Sequence, residues 1–143
     1  MARRTFTPAL ANRTLPLVRR IVADLLARGR ELRQIAPRHS DPGVAARLDV
    51  LGMEIESLVA ELNHIGCDYK DFAFDKGLVD FPGEIAGKPV LLCWRSDEPQ
   101  VAWYHAPDAG FAGRQPIPAA PTGPISTNSS RTWPRSSSTI PSK

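Results

Sequence analysis

Two consecutive heptad patterns constrain the fold of this chain more than any other feature of its sequence. Between positions 15 and 32, and again between positions 44 and 65, apolar or small residues recur at alternating spacings of three and four. This period is typical of amphipathic helices that pack against another helix along one seam. The two seams consist of Leu15, Val18, Val22, Leu25, Gly29 and Leu32, and of Val44, Leu48, Leu51, Ile55, Leu58, Leu62 and Ile65.

The ends of both helices are marked by residues that cap helices. Thr7-Pro8 and Asp41-Pro42 each place a capping side chain before a proline, which is favoured at the first helical position. Ala36-Pro37 ends the first helix, and Gly66 is a natural end for the second. The short connection predicts an antiparallel, coiled-coil-like hairpin over about residues 8–65.

Two residues disturb the first helix. Pro16 lacks an amide hydrogen, so we expect the helix to kink or restart there. Gly29 lies on the seam, where it either lets a partner backbone approach closely or weakens the helix by about 1 kcal/mol.

After Gly66 the apolar period changes from seven to two, which is the period of a β-strand. Phe72 and Phe74 alternate with polar residues, and residues 78–81 are predicted as a short strand that ends at Pro82.

The strongest strand predictions are residues 90–95 and 100–105, which follow a loop over residues 83–89. Together with the preceding strands they predict an antiparallel β-meander over about residues 70–106, followed by a loop over residues 107–117.

The predicted fold class is therefore α+β, with a helical hairpin followed by a small antiparallel sheet in a single domain over residues 3–117. Residues 118–143 are rich in proline, serine and threonine and show no periodicity. This composition predicts a disordered C-terminal tail.

The pairing of the last two strands decides which side chains reach the core. If Arg95 pairs with Gln100, the more apolar residues share one face. That face would hold Val90, Leu92, Trp94, Val101, Trp103 and His105. The other face would hold Leu91, Cys93, Arg95, Gln100, Ala102 and Tyr104.

Composition indicates a soluble globular protein. The 143 residues are 42% hydrophobic and 23% charged, which suits one domain with a tail. No segment approaches the roughly 20 apolar residues of a membrane span, and no apolar segment follows the basic N-terminus as it would in a signal peptide. With only two cysteines, we expect reduced thiols in a cytoplasmic protein and no association with a membrane.

The net charge of +3 hides a division along the chain. Residues 1–40 carry nine arginines against two acidic residues, whereas residues 41–116 carry thirteen acidic and six basic residues. A basic first helix could bind nucleic acid. Because the acidic segment follows directly, we prefer packing of a basic helix beside an acidic one, within the chain or across a dimer, and do not expect nucleic acid as a partner.

The length of the hairpin predicts self-association. Helices of about 20 residues are roughly 30 Å long, which is more than a small sheet covers. Leaving the seam exposed would cost about 25 cal/mol per Å². We therefore expect a homodimer in which two hairpins form a four-helix bundle.

Candidate binding residues concentrate in the β part of the domain and in the loop that follows it. They are Asp80, Trp94, Trp103, His105, Asp108 and Arg114. The main hypothesis is an interaction or ligand-binding module that takes a small anionic ligand or a protein partner. The alternative is an enzyme acting on a small anionic substrate, in which His105 is the base, Asp108 or Asp80 orients it, and Arg114 binds the anion.

The loop itself has two glycines, Gly110 and Gly113, around Phe111. A buried arginine needs a carboxylate, so we expect Arg114 to pair with Asp80 or Asp108. We also expect Phe111 to turn inward toward Trp103.

Two further chemistries receive less support from the sequence. A zinc set could be drawn from His64, Cys67, Cys93 and His105, but the spacing fits no standard zinc finger, so no metal and no cofactor are predicted. Arg95 could lower the pKa of the nearby Cys93 thiol and make it a nucleophile, but a small strand residue more often serves packing. The sequence contains no phosphate-binding loop, dinucleotide fingerprint or nucleophile elbow.

A series of short motifs resembles a known family. The motifs are Thr5-Phe6-Thr7-Pro8-Ala9, Lys70-Asp71, Gly77-Leu78-Val79-Asp80-Phe81-Pro82, Leu92-Cys93-Trp94-Arg95, Trp103-Tyr104-His105 and Gly110-Phe111-Ala112-Gly113-Arg114-Gln115-Pro116. They resemble the bacterial family known as domain of unknown function 2203, over about residues 3–117. That family has no established activity, so the resemblance implies the fold and a bacterial cytosolic protein, and little about function.

Overall fold

The computed structural model describes residues 4–118. Two helices come first, α1 (Pro8–Ile35) and α2 (Pro42–Ile65), followed by an antiparallel sheet whose strands are neighbours in chain order. The strands are β1 (Asp68–Tyr69), β2 (Leu78–Ile85), β3 (Lys88–Arg95), β4 (Trp103–His105) and β5 (Gln115–Pro116). The predicted α+β fold is confirmed. Apart from Pro118, the predicted tail lies outside the described residues.

Both helices begin where the sequence predicts. Thr7 Oγ1 accepts the amide of Leu10 at 3.0 Å, and Asp41 Oδ1 accepts the amide of Gly43 at 2.8 Å. α1 continues through Pro16 without a break, so the helix does not restart there. Pro16 is solvent exposed, and its missing amide removes a single hydrogen bond from a long helix.

α1 buries a wider stripe than its heptad seam, because its side chains pack against both α2 and the sheet. Gly29 serves this packing. A Cβ atom at Gly29 would lie 2.0 Å from the ring of Phe74, so the missing side chain lets an aromatic ring reach the helix backbone. A partner helix does not occupy that position.

α1 and α2 are also linked by ion pairs. Arg28 Nε lies 3.1 Å from Glu54 Oε1, and Arg47 Nε lies 2.7 Å from Glu31 Oε2. A basic helix thus packs beside an acidic one within the chain. Within residues 4–118, neither helix combines the length and the apolar character that crossing a bilayer requires.

The segment between β1 and β2 is a loop and not the strand that Phe72 and Phe74 suggested. The carboxylate of Asp71 accepts hydrogen bonds from the backbone amides of Ala73, Asp75, Lys76 and Gly77. Burial alone would raise the pKa of Asp71, but these amides outweigh it and hold the pKa below its usual value. The carboxylate of Asp71 therefore fixes the loop that positions Phe74 against α1.

β2 and β3 form a hairpin where the sequence predicted a strand end at Pro82 and a loop over residues 83–89. β2 continues through Pro82 because the backbone polar groups of this residue point away from β3. On that side, the carbonyl of Pro82 accepts the amide of Phe6 at 2.7 Å. Ala86 and Gly87 form the turn with φ of 54° and 78°. Two positive φ values are typical of the type I′ turn of a two-residue hairpin.

The sheet has an inner face that packs on α1 and an outer face that does not. Direct cross-strand partners share a face, and the pairs on the inner face are Val79 with Trp94 and Phe81 with Leu92. All four side chains are buried in the core. The residues between them, including Asp80 and Cys93, therefore point to the outer face.

The register between β3 and β4 differs by one residue from the predicted register. Leu91 pairs with His105, and Cys93 pairs with Trp103. A shift of one residue exchanges the two faces of a strand. His105 and Trp103 therefore lie on the outer face, and the predicted shared face with Val90, Leu92 and Trp94 is wrong.

A contact with α1 accounts for the shift. The amide of Val101 donates to Asn12 Oδ1 at 2.7 Å, and the carbonyl of Val101 accepts Asn12 Nδ2 at 3.0 Å. These two bonds turn the backbone of Val101 toward the helix. β4 consequently begins at Trp103 and not at Gln100.

Candidate functional site

Three side chains of different chemistry meet on the outer face of the sheet. Asp80 lies on β2, Cys93 lies opposite it on β3, and His105 lies on β4. One ligating atom of each lies within 4.8 Å of the other two. The exposed fractions of Asp80, Cys93 and His105 are 5%, 1% and 2%. We call these three residues the outer-face cluster.

The imidazole of His105 has a defined orientation. Nδ1 lies 2.8 Å from the carbonyl oxygen of Ala106, which can only accept a hydrogen bond, so Nδ1 carries the hydrogen. Nε2 lies 3.3 Å from Oδ1 of Asp80. In a neutral imidazole of this tautomer, Nε2 directs a lone pair at the carboxylate. A proton or a cation is therefore needed between the two atoms.

Cys93 is held in its thiol form. Burial, and then the negative charge of Asp80, raises the pKa of Cys93 to about 12. The guanidinium of Arg95 does not lower it as the sequence suggested, because it pairs with Asp97 at 2.6 Å. A thiol with this pKa is not a nucleophile near neutral pH.

The outer-face cluster lies at the base of a pocket of about 320 Å³. Its walls come from the sheet and from the segment 106–114, which follows β4 and folds back over the outer face. The other lining residues are Lys70, Leu78, Leu91, Pro107, Gly110 and Phe111. The pocket thus combines apolar walls, a polar base and one lysine at its rim.

Arg114 fixes this segment through a carboxylate that the sequence did not indicate. Its Nη2 lies 2.7 Å from Glu98 Oε1, with only 10% and 14% of the two side chains exposed. The guanidinium also lies 4.9 Å from the ring centroid of Trp103 and 4.6 Å from that of Phe111. The predicted pairing with Asp80 or Asp108 is therefore wrong. Proximity along the chain selected those residues, whereas the β3–β4 turn brings Glu98 closer in space.

Phe111 also differs from the prediction. Its side chain stays 39% exposed and covers the guanidinium of Arg114 from the outside. Arg114 consequently occupies the space near Trp103 where Phe111 was expected.

The family model described as an uncharacterized conserved protein, DUF2203, matches residues 4–117. The chain belongs to this family. The outer-face cluster and Arg114 all lie within the matched segment. A search of curated proteins found no match, and a search of solved structures found none either.

Within this DUF2203 domain, the structure brings together only some of the predicted site residues. Asp80 and His105 meet in the outer-face cluster, and Trp103 and Arg114 contact each other beside it. Trp94 lies on the inner face, fully buried in the core, with its Nε1 bonded to the carbonyl of Glu98 at 3.0 Å. Asp108 is exposed in the turn that follows β4.

Cys93 and Lys70 line the pocket but were not among the predicted binding residues, and Cys93 was considered only as a zinc ligand or a nucleophile. Cys93 was placed on the opposite face from His105, and only the correct register reveals that they are neighbours. Lys70 carries no pattern that distinguishes it from other surface lysines.

The four-residue zinc set considered from the sequence does not form. His64 is exposed on α2, and Cys67 is buried next to the end of α2, where its Sγ donates to the carbonyl of Leu62 at 3.5 Å. Among residues 4–118, the grouping with metal-ligating geometry is Asp80, Cys93 and His105.

Proposed function

We propose that this protein binds a small ligand in the pocket over the outer-face cluster. The observation that carries the proposal is a buried Asp80–His105 contact at the base of a pocket with apolar walls. Burying polar groups costs free energy, and a core of apolar side chains could be packed without that cost. A concave apolar site with a few convergent polar groups is the usual form of a small-molecule site.

The pocket favours a ligand with an apolar body and one anionic group. Leu78, Leu91 and Phe111 supply apolar contact area, and Lys70 supplies a positive charge at the rim. Arg114 is not the anion-binding residue in this proposal, because Glu98 already neutralises it. A small carboxylate or phosphate ester fits these features.

The geometry gives less support to the enzyme alternative. A general base needs a nitrogen that reaches the substrate. Nδ1 of His105 is bonded to a backbone carbonyl, and Nε2 faces Asp80. Among residues 4–118, the His105 ring hydrogen-bonds with Ala106 and Asp80, so the exposed Asp108 does not orient the imidazole.

Nucleic-acid binding through α1 is also disfavoured, because arginines of this helix are used within the fold. Arg28 pairs with Glu54, and Arg30 and Arg33 donate to backbone carbonyls of the loop between β1 and β2. Arg19 lies 5.2 Å above the ring of Trp94. These contacts occupy guanidinium groups that phosphate groups would need.

Thermal melts with a panel of small monocarboxylates, dicarboxylates and phosphate esters test the ligand proposal. A ligand at about 100 times its dissociation constant stabilises the folded state by about 2.7 kcal/mol, which is a shift of roughly 10 °C for a domain of this size. Lys70→Glu should abolish the shift. Lys88→Glu, at the exposed start of β3 outside the pocket, should retain it. A panel with no shift, or equal shifts in both variants, would contradict the proposal.

A second observation favours a homodimer. α2 exposes a stripe whose members are spaced by four, three, four, three and four residues: Ala46, Val50, Met53, Ser57, Ala60 and His64. Met53 is 70% exposed, and Leu17 of α1 is exposed as well. Continuous exposed stripes of this period are typical of helix–helix interfaces.

We infer that a second copy of the chain covers this stripe and forms a four-helix bundle. Within residues 4–118, Arg13 and Arg20 on α1 make no ion pair, and the same holds for Glu56 and Glu61 on α2. A two-fold axis that places α1 of one copy beside α2 of the other lets these opposite charges meet. The interface is therefore complementary in both apolar area and charge.

Light scattering tests the dimer. We expect a dimer mass at micromolar concentration for the wild type and a monomer mass for Met53→Glu. Phe72→Glu changes another exposed apolar residue, which lies outside α2, and should leave the dimer intact. A monomer mass for the wild type would refute the interface.

The location that we propose is the bacterial cytoplasm. Cys67 and Cys93 are both buried and do not form a disulfide with each other, which suits a reducing compartment. Mass spectrometry of cysteines alkylated in denaturant, after rapid acid quenching of the cells, would test it. Both cysteines should be found alkylated, and hence reduced in the cell, and a disulfide would be the contrary result.

A further inference from the structure

The outer-face cluster contains three kinds of metal ligand in one buried position. We propose that Asp80, Cys93 and His105 bind a divalent transition-metal ion, with Zn²⁺ the best match, and leave a fourth coordination position open toward the pocket. This inference deepens the proposed function, because a ligand in the pocket would reach that fourth position at the base.

The distances suit a tetrahedral ion. Zinc binds oxygen and nitrogen at about 2.0 Å, which places two such atoms about 3.3 Å apart at the tetrahedral angle. Asp80 Oδ1 and His105 Nε2 are 3.3 Å apart. The Cys93 sulfur completes a group of ligand atoms that all lie within 4.8 Å of one another. A zinc ion that binds sulfur at about 2.3 Å would draw this atom to about 3.5 Å from the other two.

The orientation of His105 also suits a metal. A histidine that binds a metal through one ring nitrogen almost always donates the other N–H to a carbonyl or a carboxylate. Nδ1 of His105 donates to the carbonyl of Ala106, which leaves the Nε2 lone pair directed into the cluster. A cation between Nε2 and Asp80 satisfies two acceptors that otherwise face each other.

The charge of the cluster balances that of the ion. On binding, Cys93 loses its thiol proton to solvent, and the resulting thiolate together with the Asp80 carboxylate neutralises a divalent cation. A buried site tolerates a neutral assembly far better than an isolated charge. Thiolate and imidazole ligands select zinc and its neighbours over magnesium or calcium.

Each ligand is positioned by a rigid element. Asp80, Cys93 and His105 lie on three neighbouring strands, and Nη2 of Arg114 donates to the carbonyl of Cys93 at 3.3 Å. Three protein ligands with an open fourth position are typical of zinc sites that bind exchangeable molecules.

Titration with Co²⁺ and Zn²⁺ tests the site in the full chain. We expect one ion per protomer, a thiolate-to-cobalt charge-transfer band in the near ultraviolet, and its loss when Zn²⁺ is added. Zn²⁺ binding should release about one proton, because the metal deprotonates a coordinating thiol. Binding that lacks both the charge-transfer band and the proton release would overturn the proposal without any variant.

Variants assign the ligands. Cys93→Ser should abolish the charge-transfer band, and His105→Gln should weaken Zn²⁺ binding by at least about 100-fold, the upper range for loss of a supporting residue alone. Cys67→Ser and His64→Gln are the matched controls, because neither residue belongs to the cluster. A band that survives Cys93→Ser, or disappears in Cys67→Ser, would refute the assignment.

The metal proposal and the ligand proposal can be refuted separately. If Zn²⁺ binds with the expected signature but no anion from the panel shifts the melt of the zinc form, the metal site stands and the ligand proposal is refuted. If an anion stabilises chelator-treated protein through Lys70 while Zn²⁺ does not bind, the ligand proposal stands and the metal site is refuted.

Discussion

Removing Arg114 should destabilise the domain by about 2–4 kcal/mol. The ion pair with Glu98 is largely buried, and a lost hydrogen bond to a charged group costs about 1.5–3 kcal/mol. The guanidinium also lies over the rings of Trp103 and Phe111, and each such contact contributes about 0.5–1 kcal/mol. These terms overlap, so the total is less than their sum.

A double-mutant cycle measures the ion pair directly. Urea unfolding, followed by far-ultraviolet circular dichroism, would compare the wild type, Arg114→Ala, Glu98→Gln and the double variant. We expect a coupling free energy of at least about 1 kcal/mol, the range for residues in direct contact. Arg114→Lys keeps the charge but loses the planar stacking, so its stability should lie between those of the wild type and Arg114→Ala.

Two results would contradict the stabilising role of the Arg114–Glu98 ion pair. A loss below about 0.5 kcal/mol for Arg114→Ala is typical of a surface substitution and would show that Arg114 does not hold the segment 106–114 in place. A coupling energy near zero would show that Glu98 is not the partner of Arg114.

Three further predictions concern the rest of the domain. Because both cysteines are buried and the pKa of Cys93 is raised to about 12, neither Cys67 nor Cys93 should react with a disulfide reagent at pH 8 until the protein is unfolded, and fast native reaction would contradict this. Gly29→Ala should lower the free energy of unfolding by about 1–3 kcal/mol by overpacking, although alanine favours helices. At Gly52 an added Cβ atom would meet no other atom within 4 Å, so Gly52→Ala should raise the free energy of unfolding by about 0.5–1 kcal/mol. Equal effects at both glycines would contradict the contact of Phe74 with Gly29. Because the pKa of Asp71 is lowered in the folded state, its carboxylate stabilises the fold fully above its unfolded pKa of about 3.9. This stabilisation is lost as the pH falls through the folded pKa. The melting temperature should therefore decline more for the wild type than for Asp71→Asn between about pH 5 and pH 3.

The helical part of the fold could be predicted from the sequence because its signals are local. Thr7 and Asp41 cap the helices through hydrogen bonds to amides two or three residues away, and the heptad seams need no knowledge of partners. The type I′ turn at Ala86 and Gly87 was missed because the first of its residues is an alanine, which seldom adopts positive φ. Pro82 was wrongly predicted to end β2, because the side of β2 that faces away from β3 tolerates a missing amide.

The candidate site was only half predictable. Asp80 and His105 were named from their residue types, but their meeting depends on a register that Asn12 sets from 89 residues away along the chain. Cys93 joins them through the same register, and Glu98 captures Arg114 through the shape of the β3–β4 turn. Such long-range hydrogen bonds leave no periodic signal in the sequence.

The site depends on the β3–β4 register, which gathers Asp80, Cys93 and His105 on the outer face. Cross-strand nuclear Overhauser effects measure this register directly in solution. We expect backbone contacts of Leu91 with His105 and of Cys93 with Trp103. Contacts of Val90 with His105 and of Leu92 with Trp103 would place His105 on the inner face and contradict the site.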